Sequence, residues 1–322
     1  MRKTLLLQDY IDGFKKRDRT ILARAITLVE SSNPEHQKLA QELLKSLLPS
    51  AGNSKRIGIS GTPGVGKSTF IEAFGKNLTS QNKSVAVLAV DPTSQVSGGS
   101  ILGDKTRMNE LAIDQLAFIR PSPSGETLGG VAKRTRESLL LCEAFGFDYV
   151  LVETVGVGQS ETQVAQMVDL FIMLLQPGAG DDLQGIKRGI LEMVDMVVVT
   201  KDDGDQEKII QKAKHDYEKA LHILRHEGWH PPVLSCSSIT KKGFPEIQQV
   251  IVSYFNDQRK LIDEKRNKQG LNWMWQLIHE GLKNSFHEKI GEKEIREIES
   301  EILAQKMTSP EAAQKLLKLF RS

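Results

Sequence analysis

An octapeptide in the first quarter of the chain has the composition and spacing of a phosphate-binding loop. Residues 61–68, Gly-Thr-Pro-Gly-Val-Gly-Lys-Ser, match the pattern G-x-x-x-x-G-K-[ST] at every fixed position. The glycines let the main chain wrap closely around an anion, so that its N–H groups point inward. The match follows an apolar strand pattern and opens a helical pattern at residues 68–74, which is the context that the motif requires.

The residue types of this loop suit the triphosphate of a nucleotide. We expect Lys67 to reach the β- and γ-phosphates, and the Ser68 hydroxyl to ligate Mg²⁺. The N-terminus of the following helix adds a partial positive charge. The nucleotide-binding residues predicted in this loop are Gly61, Thr62, Pro63, Gly64, Val65, Gly66, Lys67, Ser68 and Thr69.

Carboxylates follow the phosphate loop at three places. Asp91 and Glu153 each end an apolar run, and Asp104 is the only carboxylate of the polar, glycine-rich segment 94–108. A carboxylate at the mouth of a sheet can ligate Mg²⁺ or orient the attacking water. A turn cap at Asp91 and a solvated loop at 94–108 stay open as alternatives. The predicted catalytic residues are Lys67, Asp91, Asp104 and Glu153, and the predicted metal ligands are Ser68, Asp91, Asp104 and Glu153.

The sequence after Glu153 has the layout of a segment that responds to the γ-phosphate. The N–H of Gly156 is predicted to sense that phosphate, and Gln159 is a weaker candidate. Lys105 and Arg107 are candidates for contacts with phosphate, with a solvated loop as the alternative.

A second group of candidates follows two later strand patterns and predicts guanine recognition. Thr200-Lys201-Asp202-Asp203 fits the [NT]-K-x-D sequence that GTPases carry at a strand end. The Asp203 carboxylate would accept hydrogen bonds from N1–H and the 2-amino group of guanine, which adenine lacks. The Lys201 stem would pack over the base. For Lys201-Asp202-Asp203, a plain capped loop remains the alternative. Ser237 and Ser238 would offer backbone N–H groups to the guanine O6, although serine-rich strand ends are common.

Seven runs rich in Val, Ile and Leu indicate the elements that must position these residues. Such runs are typical of strands buried on both faces of a parallel sheet, and helical patterns separate most of them. We predict an α/β P-loop NTPase fold with a mostly parallel central sheet flanked by helices, plus N-terminal and C-terminal helical extensions. The predicted domains are 1–52, an N-terminal helical segment; 53–245, the nucleotide-binding domain; and 246–322, a C-terminal helical segment.

The composition is that of an ordinary globular protein, because 39% of the 322 residues are hydrophobic, 26% are charged and the formal net charge is +2. This charge predicts neither a nucleic-acid nor a membrane partner. No apolar run approaches the about 20 residues of a membrane helix. Gln8 and Asp9 interrupt the apolar N-terminus before signal-peptide length, so we predict a cytoplasmic protein, with an organelle matrix as the alternative. Cys142 and Cys236 have no paired spacing, which argues against a disulfide framework or a zinc knuckle.

Four longer sequences surround the candidate residues. They are Asp-Pro-Thr-Ser at 91–94, Ser-Gly-Gly-Ser-Ile-Leu-Gly-Asp-Lys-Thr-Arg-Met at 97–108, Val-Glu-Thr-Val-Gly-Val-Gly-Gln-Ser-Glu at 152–161 and Gln-Pro-Gly-Ala-Gly-Asp-Asp-Leu-Gln-Gly-Ile-Lys at 176–187. Together they resemble the MeaB/ArgK family of P-loop GTPases, which includes the methylmalonic aciduria type A protein. The resemblance runs from about residue 35 to residue 285.

This resemblance implies a GTPase, binding GTP and GDP with Mg²⁺, that assists an adenosylcobalamin-dependent mutase in cofactor loading and protection. The mutase would be methylmalonyl-CoA mutase or a relative. The resemblance also implies a homodimer built largely by the C-terminal helices of 246–322. In a third switch at 176–187, Asp181, Asp182 and Lys187 would couple partner binding to catalysis, whereas the residues alone indicate a polar loop.

The chain departs from the family pattern at two positions. Thr200 stands where the family usually has Asn, and Ser238 where it usually has Ala. A threonine hydroxyl can still brace the loop, so the guanine preference is retained.

Two other classes of function stay open. A nickel-insertion-type GTPase needs a set of His or Cys ligands, and the set available here is His222, His226 and His230, which Gly228 interrupts. An amino-acid-transport-associated ATPase or kinase, the oldest label on the family, needs an amino-acid site that none of these residues supplies.

Overall fold

The computed structural model describes residues 5–90, 108–121, 128–154, 159–178, 188–204, 206–224 and 229–321. The chain divides into two compact units, residues 1–263 and residues 264–322. The domain boundaries predicted at 52/53 and 245/246 stay predictions, and the two units are described separately below.

A parallel sheet runs through the first unit, and its strands fall on the seven predicted apolar runs. Within the described residues the strand order is β3-β2-β4-β1-β5-β6-β7, and every neighbouring pair is parallel. The predicted α/β P-loop fold class is therefore confirmed. The strands are β1 Lys55–Gly61, β2 Val85–Val90, β3 Ala117–Arg120, β4 Tyr149–Thr154, β5 Leu170–Leu175, β6 Met196–Val199 and β7 Val233–Ser235.

Helices occupy the connections between the strands and both ends of the chain. A short 3-10 helix, Leu48–Ser50, precedes β1. The α-helices are α1 Leu7–Lys15, α2 Arg19–Val29, α3 Pro34–Leu47, α4 Lys67–Thr79, α5 Asn109–Ala112, α6 Leu128–Phe145, α7 Gln159–Ala165, α8 Arg188–Leu191, α9 Glu207–Leu224, α10 Phe244–Asp257, α11 Arg259–Ile290, α12 Glu292–Leu303 and α13 Ser309–Arg321.

The two faces of the sheet bury separate apolar cores, which explains why the strands are apolar at nearly every position. Successive side chains point to opposite faces. On β1, for example, Ile57 and Ile59 face the core that α4 and α10 cover. On β4, Val150 and Val152 face the core that α6, α7 and α9 cover. The carboxyl ends of all strands then lie at one edge, where an α/β protein binds its ligand.

The predicted N-terminal helices pack on the outer side of α6. Asp18 caps α2 by accepting hydrogen bonds from its first turn, and Asn33 caps α3, which begins at Pro34. Phe14 of α1 meets Phe145 of α6 edge to face, with ring centroids 5.6 Å apart. These helices belong to the same apolar core as one face of the sheet.

The second unit is helical. It contains the later part of α11 together with α12 and α13, where Phe286 and Phe320 lie 5.4 Å apart between ring centroids. Ile298 of α12 and Ala312 of α13 are buried. In the described part of the chain, no helix is both long enough and apolar enough to cross a bilayer.

Candidate functional site

The predicted phosphate loop joins β1 to α4. The strand ends at Gly61 and the helix begins at Lys67. Gly66, immediately before the helix, has a φ of 95°, a left-handed conformation that side chains disfavour. Val65 is fully buried and anchors the loop in the core that α4 covers. Since the first N–H groups of a helix have no intrahelical acceptor, this junction presents donors to an anion.

Lys67 lies over the loop that precedes it. Its Nζ donates to the carbonyl oxygens of Gly61 at 2.7 Å and Thr62 at 3.3 Å. Burial lowers the pKa of the Lys67 ammonium, and the nearby carboxylates of Glu153 and Glu161 oppose this shift. The ammonium is thus held at the loop where phosphates would bind.

Ser68 and Glu153 form the part of the predicted metal site that the structure describes. The Ser68 hydroxyl donates to Glu153 Oε1 at 3.2 Å, and Glu153 is 5% exposed at the end of β4. A hydroxyl and a carboxylate are the hard oxygen ligands that Mg²⁺ prefers, and Mg²⁺ commonly takes only one or two protein carboxylates. These two side chains therefore fit a magnesium ion.

Several predicted site residues lie outside the described residues. They are Asp91, Asp104, Lys105, Arg107, Gly156, Asp181, Asp182 and Lys187. Their predicted roles stay predictions.

The loop after β6 is hydrogen-bonded to the phosphate loop. Thr200 Oγ1 lies 2.9 Å from the carbonyl oxygen of Val65 and 3.1 Å from that of Leu175, so its single hydroxyl proton is within reach of either acceptor. Lys201, with a φ of 61°, extends its Nζ to the Gly64 carbonyl oxygen at 3.2 Å. The structure thus brings two sequence motifs more than a hundred residues apart into direct contact.

Two adjacent carboxylates in this loop have opposite environments. Asp203 is exposed and makes no hydrogen bond with the rest of the described chain. Asp202 is 8% exposed and accepts hydrogen bonds from Ser235 Oγ at 2.9 Å and Lys242 Nζ at 3.0 Å. Its own N–H donates to the Cys236 carbonyl oxygen at 3.0 Å. Within the described residues, no hydrogen bond engages the Asp203 carboxylate, whereas both carboxylate oxygens of Asp202 accept hydrogen bonds inside the protein.

Ser237 and Ser238, which follow β7, differ in whether their backbone N–H groups are hydrogen-bonded. The N–H of Ser237 donates to the Lys242 carbonyl oxygen at 3.0 Å, and its hydroxyl accepts from the Thr240 N–H at 3.1 Å. The N–H of Ser238 makes no hydrogen bond to another described residue. This assigns Ser237 to the internal structure of the loop and leaves Ser238 as the candidate donor to a base.

Within the described residues, the histidine set shows no metal centre. His222 and His230 lie 6.4 Å apart between ring centroids, and His226 is outside the described residues. Among the residues with described positions, no three His, Cys, Asp or Glu side chains are grouped as metal ligands.

Comparison with known families agrees with this geometry. Residues 22–291 match the family described as "Methylmalonyl Co-A mutase-associated GTPase MeaB". The chain belongs to the MeaB family. The phosphate loop, Glu153 and the base loop all lie within the matched region, so the resemblance predicted from the motifs is confirmed.

Relatives of this MeaB-family chain extend over most of its length. "GTPase ArgK" of Escherichia coli is 51% identical over 282 residues, which cover 86% of this chain and 85% of that protein. "Methylmalonic aciduria type A homolog, mitochondrial" of Mus musculus is 47% identical, over 96% of this chain and 78% of that protein. A solved structure titled "Crystal structure of LAO/AO transport system kinase" superposes with a TM-score of 0.79 at 38% identity, covering 99% of this chain and all of that one.

Sequence reasoning missed two buried carboxylates that organise this MeaB-family site. Asp202 stands at the variable position of the [NT]-K-x-D motif, and Glu161 is the last residue of the 152–161 sequence, so neither position predicts a role. The sequence did offer one signal, because Asp202 and Glu161 both lie within a few residues of a predicted strand end at the site. A carboxylate that is buried there needs hydrogen-bond partners. Glu161 is 3% exposed and accepts a hydrogen bond from Ser60 Oγ at 3.0 Å.

Proposed function

We propose that this chain binds GTP with Mg²⁺ and hydrolyses it to GDP and phosphate. The observation that carries the proposal is the junction of β1 and α4, where Lys67 lies over the phosphate loop and Ser68 meets Glu153 at 3.2 Å. The GTPase names of the family and of the Escherichia coli relative support it.

Phosphoryl transfer to water depends mainly on positioning and charge stabilisation, and the proposed residues supply both. The loop N–H groups and Lys67 would hold the β- and γ-phosphates. Ser68 and Glu153, with Asp91 and Asp104, would hold Mg²⁺, which when bound neutralises charge on the phosphate oxygens. The Gly156 N–H would contact the γ-phosphate.

Guanine selectivity would come from the base loop. The exposed Asp203 carboxylate would accept two hydrogen bonds from guanine, and the Ser238 N–H would donate to its O6. Thr200 would hold this loop in register with the phosphate loop through the Val65 carbonyl oxygen. Adenine would leave Asp203 without donors, so ATP would bind less well.

The cycle of binding and hydrolysis would serve an adenosylcobalamin-dependent mutase, in cofactor loading and protection. The family description names an association with methylmalonyl-CoA mutase, and the Mus musculus relative is named after methylmalonic aciduria. Asp181, Asp182 and Lys187 would couple binding of the mutase to hydrolysis. The segment that contains them follows β5, whose last residue, Leu175, is hydrogen-bonded to Thr200.

A homodimer is part of this proposal. One face of α11 carries exposed apolar side chains at helical spacing, and Trp275 and Leu282 are 54% and 55% exposed. Exposed apolar surface of this kind on a charged helix supports the proposal of a protein–protein interface there. The side chains of this stripe are Leu271, Met274, Trp275, Ile278 and Leu282.

Titration calorimetry and turnover assays test these steps in order. With Mg²⁺ present, GTP and GDP should release heat on binding and ATP should bind more weakly; hydrolysis should be faster with an added methylmalonyl-CoA mutase. No heat with any purine nucleotide would refute the proposal. A preference for ATP would favour the ATPase or kinase reading instead. Sedimentation of the double variant W275E/L282E should show a monomer if the stripe forms the dimer.

A further inference from the structure

Ser60 occupies an unusual position one residue before the phosphate loop. Its hydroxyl donates to Glu161 Oε1 at 3.0 Å and accepts from Thr154 Oγ1 at 2.9 Å. All three residues are buried, at 0%, 3% and 0% exposure for Ser60, Glu161 and Thr154. A serine hydroxyl has one proton to donate, so the three groups form a directed chain that ends on the carboxylate.

The partners of Ser60 lie on the two sides of one segment of the chain. Thr154 is the last residue of β4, and Glu161 stands in the first turn of α7. The end of β4, at Thr154, and the start of α7, at Glu161, are therefore joined to the same hydroxyl, and that hydroxyl belongs to the strand that carries the phosphate loop.

Because side chains alternate along a strand, the end of β4 contacts residues on both faces of the sheet. Glu153 and Thr154 are consecutive, so their side chains point to opposite faces of the sheet. Glu153 contacts Ser68 on the face that α4 covers, whereas Thr154 contacts Ser60 on the face that α7 covers. The end of β4 thus contacts both the metal side of the phosphate loop and its supporting strand.

Gly58 permits the close approach that this arrangement needs. A Cβ at this position would lie 2.9 Å from side-chain atoms of Val164 and Phe171, closer than real contacts allow. Gly58 and Ser60 lie on the same face of β1, and Val164 and Glu161 lie one turn apart on α7. The absence of a side chain at Gly58 therefore lets α7 pack close enough for Glu161 to reach Ser60.

We propose that Ser60 is a positioning residue for recognition of the γ-phosphate, acting through its hydrogen bonds to Thr154 and Glu161. This inference rests on the proposed function, in which Gly156, between these two partners, contacts the γ-phosphate. Because Thr154 and Glu161 are both hydrogen-bonded to the strand of the phosphate loop, loss of the Ser60 hydroxyl should weaken the proposed contact with the γ-phosphate. GDP has no γ-phosphate, so its binding does not depend on this arrangement.

The test is to compare the affinities for GTP and GDP in four variants of the full chain. S60A removes the central hydroxyl. T154V removes one partner with little change in shape, and T154S restores the hydroxyl. T79V is the matched control, because Thr79 is also buried and donates to a carboxylate, Asp114 Oδ2 at 2.8 Å, but lies about 18 Å along α4 from Lys67.

In S60A the ratio of the GDP Kd to the GTP Kd should fall about tenfold, as expected for two lost buried hydrogen bonds. The GDP Kd should stay within about threefold of that of the unmodified protein, and T154V should show a smaller fall in the same direction. T154S and T79V should keep the original ratio. Calorimetry with Mg²⁺ measures both affinities, and single-turnover hydrolysis should slow in parallel with the ratio.

Two results would overturn the inference: ratios in S60A and T154V equal to that of T79V, or a T154S ratio as low as that of T154V. Thermal unfolding identifies a variant that fails to fold. If S60A does not fold, the comparison of T154V with T154S tests the inference instead. If the unmodified chain binds no GTP, the proposed function itself is refuted. That outcome is distinct from intact GTP binding that is insensitive to the Ser60 hydroxyl.

Discussion

The phosphate end and the base end of the candidate site are built in different ways. At the phosphate end, the predicted phosphate-binding loop is one short stretch, 61–68; the buried Glu153 contacts its Ser68, and the buried Glu161 contacts Ser60, the residue before it. At the base end, two loops from distant parts of the chain meet. There the predicted reading group, Asp203, is exposed, and its neighbour Asp202 is buried.

The two ends differ in whether the residues that would bind the nucleotide are also the residues that hold the loops in place. At the phosphate end one buried charge is proposed to do both, because Glu153 contacts Ser68 and would also hold the metal ion. At the base end the two proposed roles are divided between adjacent aspartates: Asp202 joins the two loops, and Asp203 would bind the base. Substitutions should therefore have combined effects at the phosphate end and separable effects at the base end.

The substitution K67A should have the largest effect. It removes a charge-assisted donor to the phosphates, a loss of about 3 kcal/mol or more than a hundredfold in affinity for GTP and GDP alike. Calorimetry with each nucleotide measures the change. Circular dichroism and thermal unfolding serve as controls, since a folded K67A protein that binds GTP normally would contradict the assignment of the phosphate end.

The substitution D203N should change base preference rather than phosphate binding. The amide can donate to the 2-oxo group of xanthine but cannot accept both guanine donors, so GTP should lose about 2 kcal/mol and xanthosine triphosphate should gain. Competition between the two nucleotides measures the shift. Unchanged selectivity for GTP would remove Asp203 from the base site.

The substitution T200V should weaken the link between the two ends. It keeps the branched shape but removes the hydroxyl that reaches Val65 and Leu175, so we expect a loss of about 1 kcal/mol in unfolding free energy. Affinity for GTP and GDP should fall a few-fold together. T200S, which keeps the hydroxyl, and T200N, the residue usual in the family, should behave like the unmodified protein. Equal affinities in T200V and T200S would show that the link has no role in binding.

The substitution D202N should have the smallest effect. The amide oxygen can still accept from Ser235, but the charge that faces Lys242 is lost, and that lysine side chain is 61% exposed. We therefore expect a cost of about 0.5 kcal/mol in stability and no change in base preference. Denaturant unfolding and the competition assay measure these quantities. A shift towards xanthosine triphosphate in D202N would exchange the roles assigned to the two aspartates.

Much of the fold and of the phosphate end could be predicted from the sequence. Each strand falls within one or two residues of an apolar run, because a strand buried on both faces admits few polar residues. The phosphate loop is contiguous, so its spacing alone identifies it.

The contacts that tie the site together could not be predicted in this way. The distances from Ser60 to Glu161 and from Asp202 to Lys242 depend on strand order and on how closely helices approach, and neither is local. Motif patterns also mark only fixed positions, so Asp202, at a variable one, received no role. The engagement of the Ser237 N–H by the Lys242 carbonyl depends on the course of a whole loop.

The apolar core shared with the N-terminal helices determines whether the P-loop domain can fold when it is separated from residues 1–52. Phe14, Leu22 and Leu43 come before the first strand, yet they belong to the same apolar cluster as Val150 of β4. Cutting the chain at residue 53 would expose that cluster to water and invite aggregation. The smallest active fragment must therefore include the N-terminal helices, which precede the first strand in the sequence. Substitutions in the core of these helices would lower activity by making the protein less soluble.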